Sequence, residues 1–472
     1  MSDVAGRLLE EFDQYVMNHI PIRLIRLSDM TFVGRDDIRK HFRSFVPQTN
    51  LFGIYKPSRV VRYAILSHRW LDSGEPTYEE MKAGTATGPG YKKLKNFCEQ
   101  ARKQNVEFAW SDTCCIDKSS STELDESIRS MFRWYHNSAI CVVHLAKSTT
   151  IEDILHDEWT ERGWTLQELL APFHIKFFNK HWMPMTNDSN DKQKATTKIL
   201  QTLEKATGIP RDKINCQFNP RPFNVDERMV WAARRKTTRV EDVAYSLMGI
   251  FDVSLQIAYG EGGDRAFCRL IEAIMQAGDP SVLNWKGKAA KHRTSSAIPR
   301  SPRSFMNRRE LKLDSGGRLE MTMTSLGLRV PLVILPLSLP FSEAAGTGSA
   351  CITFECLLYP SIKIDINVNN LLGHGRYRYA LGIINYSLVR DGLVREVVEM
   401  QGKSAGIPLR CQLVDRFSSS TPAVGFGFET VYLEQSLSKP WEKIREEGLI
   451  EVNFPITSRF YIEHKYLENV HL

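Results

Sequence analysis

The segment RGWTLQELLAP at residues 162–172 places one acidic side chain, Glu168, among apolar ones. Thr165 precedes Glu168 by three residues, and Thr-x-x-Glu is typical of a capping box, in which the acid stabilises the first turn of a helix. A carboxylate beside helical N–H groups also stays ionised, so it can stabilise positive charge that develops on a ligand. The segment therefore predicts either a helix-capping residue or a catalytic carboxylate, and both interpretations remain open.

Helical geometry indicates where Glu168 points if residues 166–171 form a helix. At about 100° per residue, the three leucines of this segment share one face. Glu168 lies roughly 150° from the centre of that face, on the side of Trp164. We therefore expect Glu168 to point away from the core, either into solvent or into the wall of a cleft.

Polar and aromatic side chains follow two predicted strands at the points where the strands end. The first group comprises Ser67, His68, Arg69 and Trp70. The second group lies in the loop SDTCCIDK and comprises Asp112, Cys114, Asp117 and Lys118. Because the carboxyl ends of parallel strands meet at one edge of a sheet, we expect these side chains to gather around one ligand. Arg162 and Trp164, beside Glu168, complete the predicted set of ligand-contacting residues.

Several members of this set have simpler interpretations that remain open. His68 can orient its loop through hydrogen bonds instead of contacting a ligand. Asp112 and Asp117 share one short loop without an obvious third ligand, so hydrogen bonds to the backbone are favoured over a metal site. Cys114 would need a neighbouring base to act as a nucleophile, and the sequence identifies none. We therefore predict no metal in this site.

An alternation of strands and helices must position these residues. The predicted strands are 22–27, 60–67, 106–111, 139–145 and 174–178, and the predicted helices are 7–17, 91–105, 120–136 and 166–171. From residue 60 onward, this alternation is typical of parallel strands joined by right-handed crossovers. We therefore predict an α/β fold with an open parallel sheet, flanking helices, and ligands beyond the carboxyl ends of the strands.

The remainder of the chain has a different pattern. We predict a helical extension of the α/β region, followed by a basic segment and then a β-rich region. Alternating polar and apolar residues, as in IKIDINV at 362–368, indicate the half-buried strands of that last region. The predicted parts are an α/β domain (1–195), a helical extension (196–285), a basic Ser- and Pro-containing linker (286–310) and a β-rich domain of unknown role (311–472).

The net charge of +7 is concentrated in one segment. Residues 286–309 hold eight Lys or Arg and no Asp or Glu, so the rest of the chain carries about −1 (+7 less 8). A nucleic-acid-binding face needs basic residues spread along a helix or sheet, whereas a short basic run with Ser and Pro is typical of a solvated linker. The sequence therefore argues against nucleic acid as a partner.

Cysteine usage and hydropathy indicate the compartment. The chain has nine cysteines and no CxxC pair, which suits a reducing environment. Its N-terminus carries acidic residues and lacks the apolar core of a signal peptide. The apolar stretch at 330–341 is short and contains three prolines, so it indicates a buried or edge strand and not a membrane span. We therefore expect a cytoplasmic protein.

Several blocks of the sequence resemble the signature motifs of the fungal HET domain, a family named for heterokaryon incompatibility. These blocks are RYAILSHRW (62–70), WSDTCCIDKSSSTELDESIRSMFRWY (110–135), RGWTLQELLAP (162–172), WAARRKTTRVEDVAYSLMGIFDV (231–253) and YGEG (259–262). The resemblance covers roughly residues 22–285, and none of its departures from the family pattern touches Glu168. It implies a role in allorecognition, the distinction of self from non-self, and in programmed cell death.

The block YAILSHRW and the motif W-x-L-x-E-L, which begins at Trp164, also resemble parts of TIR domains, more distantly. In plant TIR domains the glutamate of that motif cleaves NAD at the nicotinamide–ribose bond. The resemblance therefore implies a TIR-like sheet, Glu168 as the catalytic residue and NAD as a substrate, with no cofactor required. On this basis Trp164 would stack on a ring of NAD, and Arg69, Lys118 or Arg162 would meet the pyrophosphate.

Two classes of function follow from these resemblances. The first is an NAD glycohydrolase that self-association activates and whose depletion of NAD kills the cell. The second is a non-enzymatic module that self-associates or binds an allorecognition partner protein and triggers death by recruitment. In either case we expect self-association, with the β-rich domain as a sensor or a restraint.

Overall fold

The computed structural model describes the first half of the chain almost continuously and selected segments of the second half. The described residues are 2–44, 56–291, 295, 297–306, 318–338, 350–357, 363–368, 377–384, 386–388, 393–396, 426–436, 442–443, 450–454, 462–463 and 467–472. The chain divides into two compact units, one of residues 1–221 with 234–266 and one of residues 222–233 with 267–472. The four-part division made from the sequence stays a prediction.

The first unit contains a six-stranded sheet. Its strands are β1 (Arg23–Arg26), β2 (Phe32–Gly34), β3 (Tyr63–His68), β4 (Phe108–Trp110), β5 (Ile140–His144) and β6 (Ile175–Phe178), in the order β2-β1-β4-β3-β5-β6. Strands β3 to β6 pair in parallel, whereas β1 runs antiparallel to β2 and β4. Every residue of β3 to β6 is buried, as expected of parallel strands that are covered on both faces.

Helices cover this sheet and extend the unit. They are α1 (Ser2–His19), α2 (Arg35–Phe42), α3 (Pro57–Val60), α4 (Tyr78–Ala83), α5 (Gly88–Arg102), α6 (Ser121–Asn137), α7 (Thr165–Leu170), α8 (Lys198–Thr207), α9 (Arg211–Asn215), α11 (Asp242–Tyr245) and α12 (Met248–Phe251). Two 3₁₀ turns, Glu152–His156 and Glu158–Glu161, lie between β5 and α7. The helix α13 (Gly263–Met275) continues from the first unit into the second.

The α/β fold with a parallel sheet agrees with the prediction for β3 to β6. Strands β4 and β5 flank β3 on its two sides, so the carboxyl ends of all three meet where the strand order reverses. The predicted strand 22–27 is present as β1, which forms an antiparallel hairpin with β2 and also pairs antiparallel with β4. Val60, the first residue of the predicted strand 60–67, is instead the last residue of α3, which has Pro57 in its first turn.

The start of α6 shows how the loop after β4 is held. Ser120 is the N-cap residue, and its hydroxyl accepts a hydrogen bond from the Glu123 N–H at 3.3 Å. The Glu123 carboxylate accepts from the Asp117 N–H at 2.7 Å and from Arg23 at 2.7 Å. The cap therefore ties the loop 111–118 to both α6 and β1.

The described strands of the second unit pair antiparallel throughout. They are β7 (Thr322–Thr324), β8 (Gly327–Ser338), β9 (Ala350–Cys356), β10 (Lys363–Val368), β11 (Tyr377–Ile383), β12 (Tyr386–Leu388), β13 (Leu393–Glu396), β14 (Phe426–Ser436), β15 (Glu442–Lys443), β16 (Ile450–Phe454), β17 (Ile462–Glu463) and β18 (Leu467–His471). They form a nine-stranded sheet built around β8, β11 and β14 and a separate three-stranded one. The predicted β-rich region and the predicted strand at 330–341 are thus present among the described residues.

The basic segment 286–310 is more ordered than the sequence predicts. Ala297, Ile298 and Phe305 are buried, and Trp285 Nε1 donates to the Ala297 carbonyl at 3.1 Å. A solvated linker is therefore the wrong description for its described part. The reason is that apolar side chains lie between the basic ones and pack within the second unit, together with the helix α10 (Val225–Ala232). None of the helices in the described ranges is long and apolar enough to cross a membrane.

Candidate active site

A cavity of about 710 Å³ lies in the first unit, next to the loops that follow β3 and β4. The predicted site residues that line it are Arg69, Trp70, Asp112, Lys118, Arg162, Trp164 and Glu168. Those that do not line it are Ser67, His68, Cys114 and Asp117. The fold thus brings both strand-end loops and α7 around one space.

The carboxyl group of Glu168 lines this cavity although the residue is only 6% exposed. Its Oε2 accepts a hydrogen bond from the Ser67 hydroxyl at 2.5 Å. Burial raises the pKa of Glu168 to about 7, and the negative charge of Asp112 adds to the rise. The hydrogen bond from Ser67 and the positive charge of Arg162 oppose it. The acid is therefore close to half ionised at neutral pH.

The helix-capping interpretation of Glu168 is wrong. Trp164 is the N-cap residue of α7, so Thr165 is its first helical residue and forms no side-chain cap. The Thr165 hydroxyl donates instead to the Trp159 carbonyl at 2.6 Å. All six residues of α7 are buried. Of the two predicted surroundings for Glu168, the cleft wall is the one present.

Ser67, predicted as a ligand contact, lies behind Glu168. The Ser67 hydroxyl oxygen accepts a hydrogen bond from Trp159 Nε1 at 2.8 Å. The same hydroxyl donates a hydrogen bond to Glu168. Ser67 and Trp159 are both fully buried. Sequence analysis missed Trp159, because the residue reaches Glu168 only through a strand that is distant in the chain.

His68 is buried at the end of β3 and does not reach the cavity wall. Neither ring nitrogen has a hydrogen-bond partner within the part of the chain that the structure describes. Burial lowers the pKa of His68 well below its ordinary value, and the positive charge of Lys93 adds to this effect. The imidazole is therefore neutral at physiological pH. Neither predicted role, ligand contact or loop orientation through hydrogen bonds, matches this position.

Trp70, Asp112 and Lys118 form one cluster on the cavity wall. Trp70 Nε1 donates to Asp112 Oδ2 at 2.8 Å, and Lys118 Nζ lies 4.1 Å from the centre of the Trp70 ring. Burial raises the pKa of Asp112 above its ordinary value, and the positive charge of Lys118 opposes the rise. The cluster therefore presents an aromatic ring and charges of both signs to the cavity.

Cys114 and Asp117 share this loop but not the cavity. Hydrogen bonding with Cys115 and burial raise the pKa of the Cys114 thiol well above its ordinary value, so it stays uncharged and unsuited to nucleophilic attack. Asp117 Oδ1 accepts from the Ser119 N–H at 2.9 Å, which is the kind of backbone hydrogen bond that the loop sequence favours. Over the described ranges, no group of three or more His, Cys, Asp or Glu residues is placed to hold a metal ion.

A second wall of the cavity comes from residues that the sequence analysis did not assign to the site. They are Glu158, Glu161, Lys236, Thr237, Thr238, Arg239, Asp242 and Tyr259. Asp242 connects this wall to Trp164. Its carboxylate accepts hydrogen bonds from Trp164 Nε1 at 3.0 Å and from the Tyr259 hydroxyl at 2.9 Å. The basic run RRKTTR at 234–239 is the available sequence signal, but such a run is more typical of a solvated helix end.

The second wall approaches α7 through a close backbone contact. The Gly163 N–H donates to the Lys236 carbonyl at 2.8 Å, and the Lys236 N–H donates to the Glu161 carbonyl at 2.6 Å. A Cβ atom at Gly163 would lie 2.5 Å from Cγ2 of Thr237, which is closer than van der Waals contact allows. Glycine is therefore required where the two segments pair.

The cavity carries charges of both signs. Its basic side chains are Arg69, Lys118, Arg162, Lys236 and Arg239, and its acidic ones are Asp112, Glu158, Glu161, Glu168 and Asp242. Glu158 Oε2 contacts Arg69 Nε at 2.5 Å, and Glu161 contacts Lys236 at 2.6 Å. A cavity that combines cationic side chains with a half-ionised carboxylate can bind an anionic group and stabilise a positive charge at the same time.

Comparison with known proteins finds a family that matches part of this chain. Residues 63–153 match the family model described as heterokaryon incompatibility protein (HET). The match falls within the region 22–285, in which the sequence blocks resemble the HET domain. It is 43% identical over 230 residues to the vegetative incompatibility protein HET-E-1 of Podospora anserina, a match that covers 46% of this chain and 16% of that protein. No solved structure matches the chain, so the TIR-like sheet and the roles of the site residues stay predictions.

Proposed function

We propose that this chain acts in fungal vegetative incompatibility and programmed cell death by hydrolysing NAD at the nicotinamide–ribose bond. The role in incompatibility is supported by the HET domain and by the name of the relative. The observation that supports the chemistry is that Glu168 shares one cavity with Arg69, Lys118 and Arg162. The cavity therefore offers partners for both the pyrophosphate and the ribose of NAD.

The proposed reaction needs a negative charge beside the ribose. The bond between the anomeric carbon and the nicotinamide nitrogen breaks, and its electron pair moves to the nitrogen, so that nicotinamide leaves as a neutral molecule. Positive charge develops on the ribose as in other glycoside hydrolyses, and the Glu168 carboxylate stabilises it. Water then adds to the anomeric carbon and releases a proton. No general acid and no cofactor are required.

The cationic side chains of the cavity differ in their availability for phosphate. Arg69 contacts the carboxylates of Glu158 and Asp72, at 2.5 and 2.9 Å, so an anionic ligand would have to compete with both. Lys118 and Arg162 have no ion pair of this kind within the described ranges. We therefore assign the pyrophosphate to Lys118 and Arg162 first, with Trp70 and Trp164 as the aromatic walls for the rings of NAD.

The second candidate is a non-enzymatic module that self-associates or recruits an allorecognition partner protein. One observation favours it: Glu168 is almost fully buried and already accepts a hydrogen bond from Ser67. A buried acid with an internal partner can serve the fold alone. Self-association and a partner protein are part of both candidates.

The first experiment is incubation of the purified full chain with NAD, at a series of protein concentrations, with chromatographic detection of free nicotinamide. We expect E168Q to release nicotinamide at least about 100-fold more slowly than the wild type, because it loses the charge that stabilises the transition state. The matched control is E152Q, since Glu152 is exposed, pairs with Lys198 and lies outside the cavity. Circular dichroism checks that both variants fold.

Two outcomes would decide against the enzyme. Absence of nicotinamide at every wild-type concentration, or equal rates for wild type and E168Q, would contradict NAD hydrolysis. A fungal strain carrying E168Q that keeps its death response would favour the recruitment module instead.

A further inference from the structure

A hydrogen-bond chain with one consistent direction ends on Glu168. Trp159 Nε1 lies 2.8 Å from Ser67 Oγ, and Ser67 Oγ lies 2.5 Å from Glu168 Oε2. An indole N–H can only donate, so Ser67 is the acceptor of the first bond. The single hydroxyl hydrogen of Ser67 is then left for the second bond, in which Glu168 is the acceptor.

The opposite direction of the second bond is costly in this environment. If Glu168 donated from a protonated Oε2, the Ser67 hydrogen would need another acceptor, and no other hydrogen bond from Ser67 Oγ is formed within the described residues. Ser67 and Trp159 are fully buried, so water does not supply that acceptor. A buried donor without a partner is destabilising, and the hydrogen-bond chain therefore favours an unprotonated Oε2.

Ser67 and Trp159, the two donors of this hydrogen-bond chain, are each held by further contacts. Ser67 belongs to β3, the central parallel strand, where it pairs with Val143 of β5. The Trp159 N–H donates to Asp157 Oδ1 at 3.0 Å, and the Trp159 ring packs edge-on against Phe177 with ring centres 5.5 Å apart. These contacts fix the positions of the two donors relative to Glu168.

We propose that Ser67 and Trp159 are positioning residues that hold Glu168 as a hydrogen-bond acceptor and so keep its carboxyl group available as an anion. For its catalytic consequence this inference rests on the proposed function. Neither residue touches the cavity, so each acts through Glu168.

Other charged and titratable groups also act on Glu168. They are Asp112 after β4, Tyr135 of α6, Cys141 of β5, Arg162 before α7 and Arg235 next to Lys236. Burial raises the pKa of Glu168 to about 7 and Asp112 adds to this, whereas the Ser67 hydrogen bond is the first of the opposing influences, ahead of Arg162 and Tyr135. Loss of the Ser67 hydroxyl should therefore leave Glu168 protonated at neutral pH.

The experiment measures the pKa of Glu168 directly in the full chain. Glutamate labelled with ¹³C at the carboxyl carbon is titrated by NMR from about pH 5 to about pH 9, and E168Q identifies the signal. We expect S67A to raise the pKa of Glu168 by about one unit, a tenfold change in its ionisation constant. W159F should raise it by less, because the Ser67 hydroxyl remains but loses the donor that orients it.

A matched control and a second readout separate positioning from general damage. S127A removes another buried serine hydroxyl, one without a partner among the described residues, and should leave the Glu168 titration unchanged. In the NAD assay, the acid limb of the pH profile of S67A should move upward by the same amount as the pKa, with the rate recovering at higher pH. A purely structural loss would lower the rate at every pH.

The outcomes distinguish this inference from the proposed function. An unmoved Glu168 titration in S67A overturns the positioning role, even if NAD is cleaved. Where S67A does not fold, W159F decides by the same criterion. If S67A raises the pKa of Glu168 but the wild-type protein cleaves no NAD, the positioning role is supported and NAD hydrolysis is contradicted.

Discussion

Glu168 is a carboxyl group held where ionisation costs free energy. Burial raises its pKa from the ordinary value of 4.5 to about 7, so the folded chain binds this proton more tightly than the unfolded chain does. The resulting stabilisation is fully present below about pH 4.5 and is lost as the pH rises through 7. Ionisation of Glu168 near neutral pH therefore lowers the free energy of unfolding of the folded chain.

The substitution E168Q should remove this pH dependence, because glutamine resembles the protonated acid. We expect the free energy of unfolding of E168Q, relative to the wild type, to increase by about 3 kcal/mol between pH 4.5 and pH 8. Urea unfolding of both proteins at several pH values measures this difference. The exposed-site variant E152Q should follow the wild type, and a constant gap between E168Q and wild type would contradict the raised pKa.

At the scale of residues, sequence reasoning found the acid but not its partners. The motif around Glu168 points to a functional carboxylate, yet the same spacing predicts a cap that does not form, since Thr165 is inside the helix. Ser67 was assigned to the ligand because it ends a strand, although its hydroxyl turns toward Glu168. A motif records residue types and spacing, whereas the direction of a side chain depends on what packs around it.

At the scale of elements, the cavity depends on the pairing of two segments that are distant in the chain. The residues before α7 bond to the segment around Lys236 through the backbone of Gly163. Gly163 allows this approach because it has no Cβ atom to meet Thr237. The second wall of the cavity therefore stays in place only if this position remains glycine.

The substitution G163A should displace the second wall. A Cβ atom 2.5 Å from the Thr237 side chain must push the segment away, and we expect a loss of about 1–3 kcal/mol in the free energy of unfolding. Unfolding measurements, together with faster hydrogen exchange of the residue 163 N–H, test this expectation. G6A is the matched control, because Gly6 lies in α1 with nothing within 4 Å of its Cβ position, and it should be neutral or stabilising. Unchanged stability and exchange in G163A would count against the close contact.

Local patterns explain which elements were predictable. Strands β3 to β6 and helices α5 to α7 have apolar periodicities that extend over whole elements, so the pattern identifies them. The strand β2 has three residues and α2 directly follows it, whereas the equally short β4 lies within the longer predicted strand 106–111. Without β2, nothing in the sequence reveals that β1 is antiparallel, because strand direction depends on the partner and not on the strand itself.

At the scale of the whole molecule, each of the two units is built from two separate stretches of the chain. Residues 222–233 belong with the second unit although they lie between parts of the first. Their helix α10 packs against the 3₁₀ turns Pro280–Leu283 and Pro302–Phe305. The Asn224 N–H also donates to Asp279 Oδ2 at 2.6 Å. A cut after residue 286 therefore leaves α10 with only part of its packing.

A fragment of residues 1–286 should consequently be less stable than one of residues 1–306. Phe305 is fully buried, and its loss removes about 2–3 kcal/mol of apolar burial. Binding of a hydrophobic dye and urea midpoints compare the two fragments. Within the longer fragment, F305A should behave like the shorter one and R303A, at an exposed position, should not. Equal stability of the two fragments would contradict this packing.

The sequence by itself determined the α/β class, the parallel strands, the resemblance to the HET family and the segment that carries the acid. Each of these depends on residues a few positions apart or on blocks that are similar between relatives. Only the tertiary structure decided that Glu168 faces a cavity, that Trp159 donates to Ser67 and Ser67 donates to Glu168, and that residues 236–239, 242 and 259 contribute to the second wall. These contacts join residues that are distant in the chain, and packing, not local periodicity, selects them.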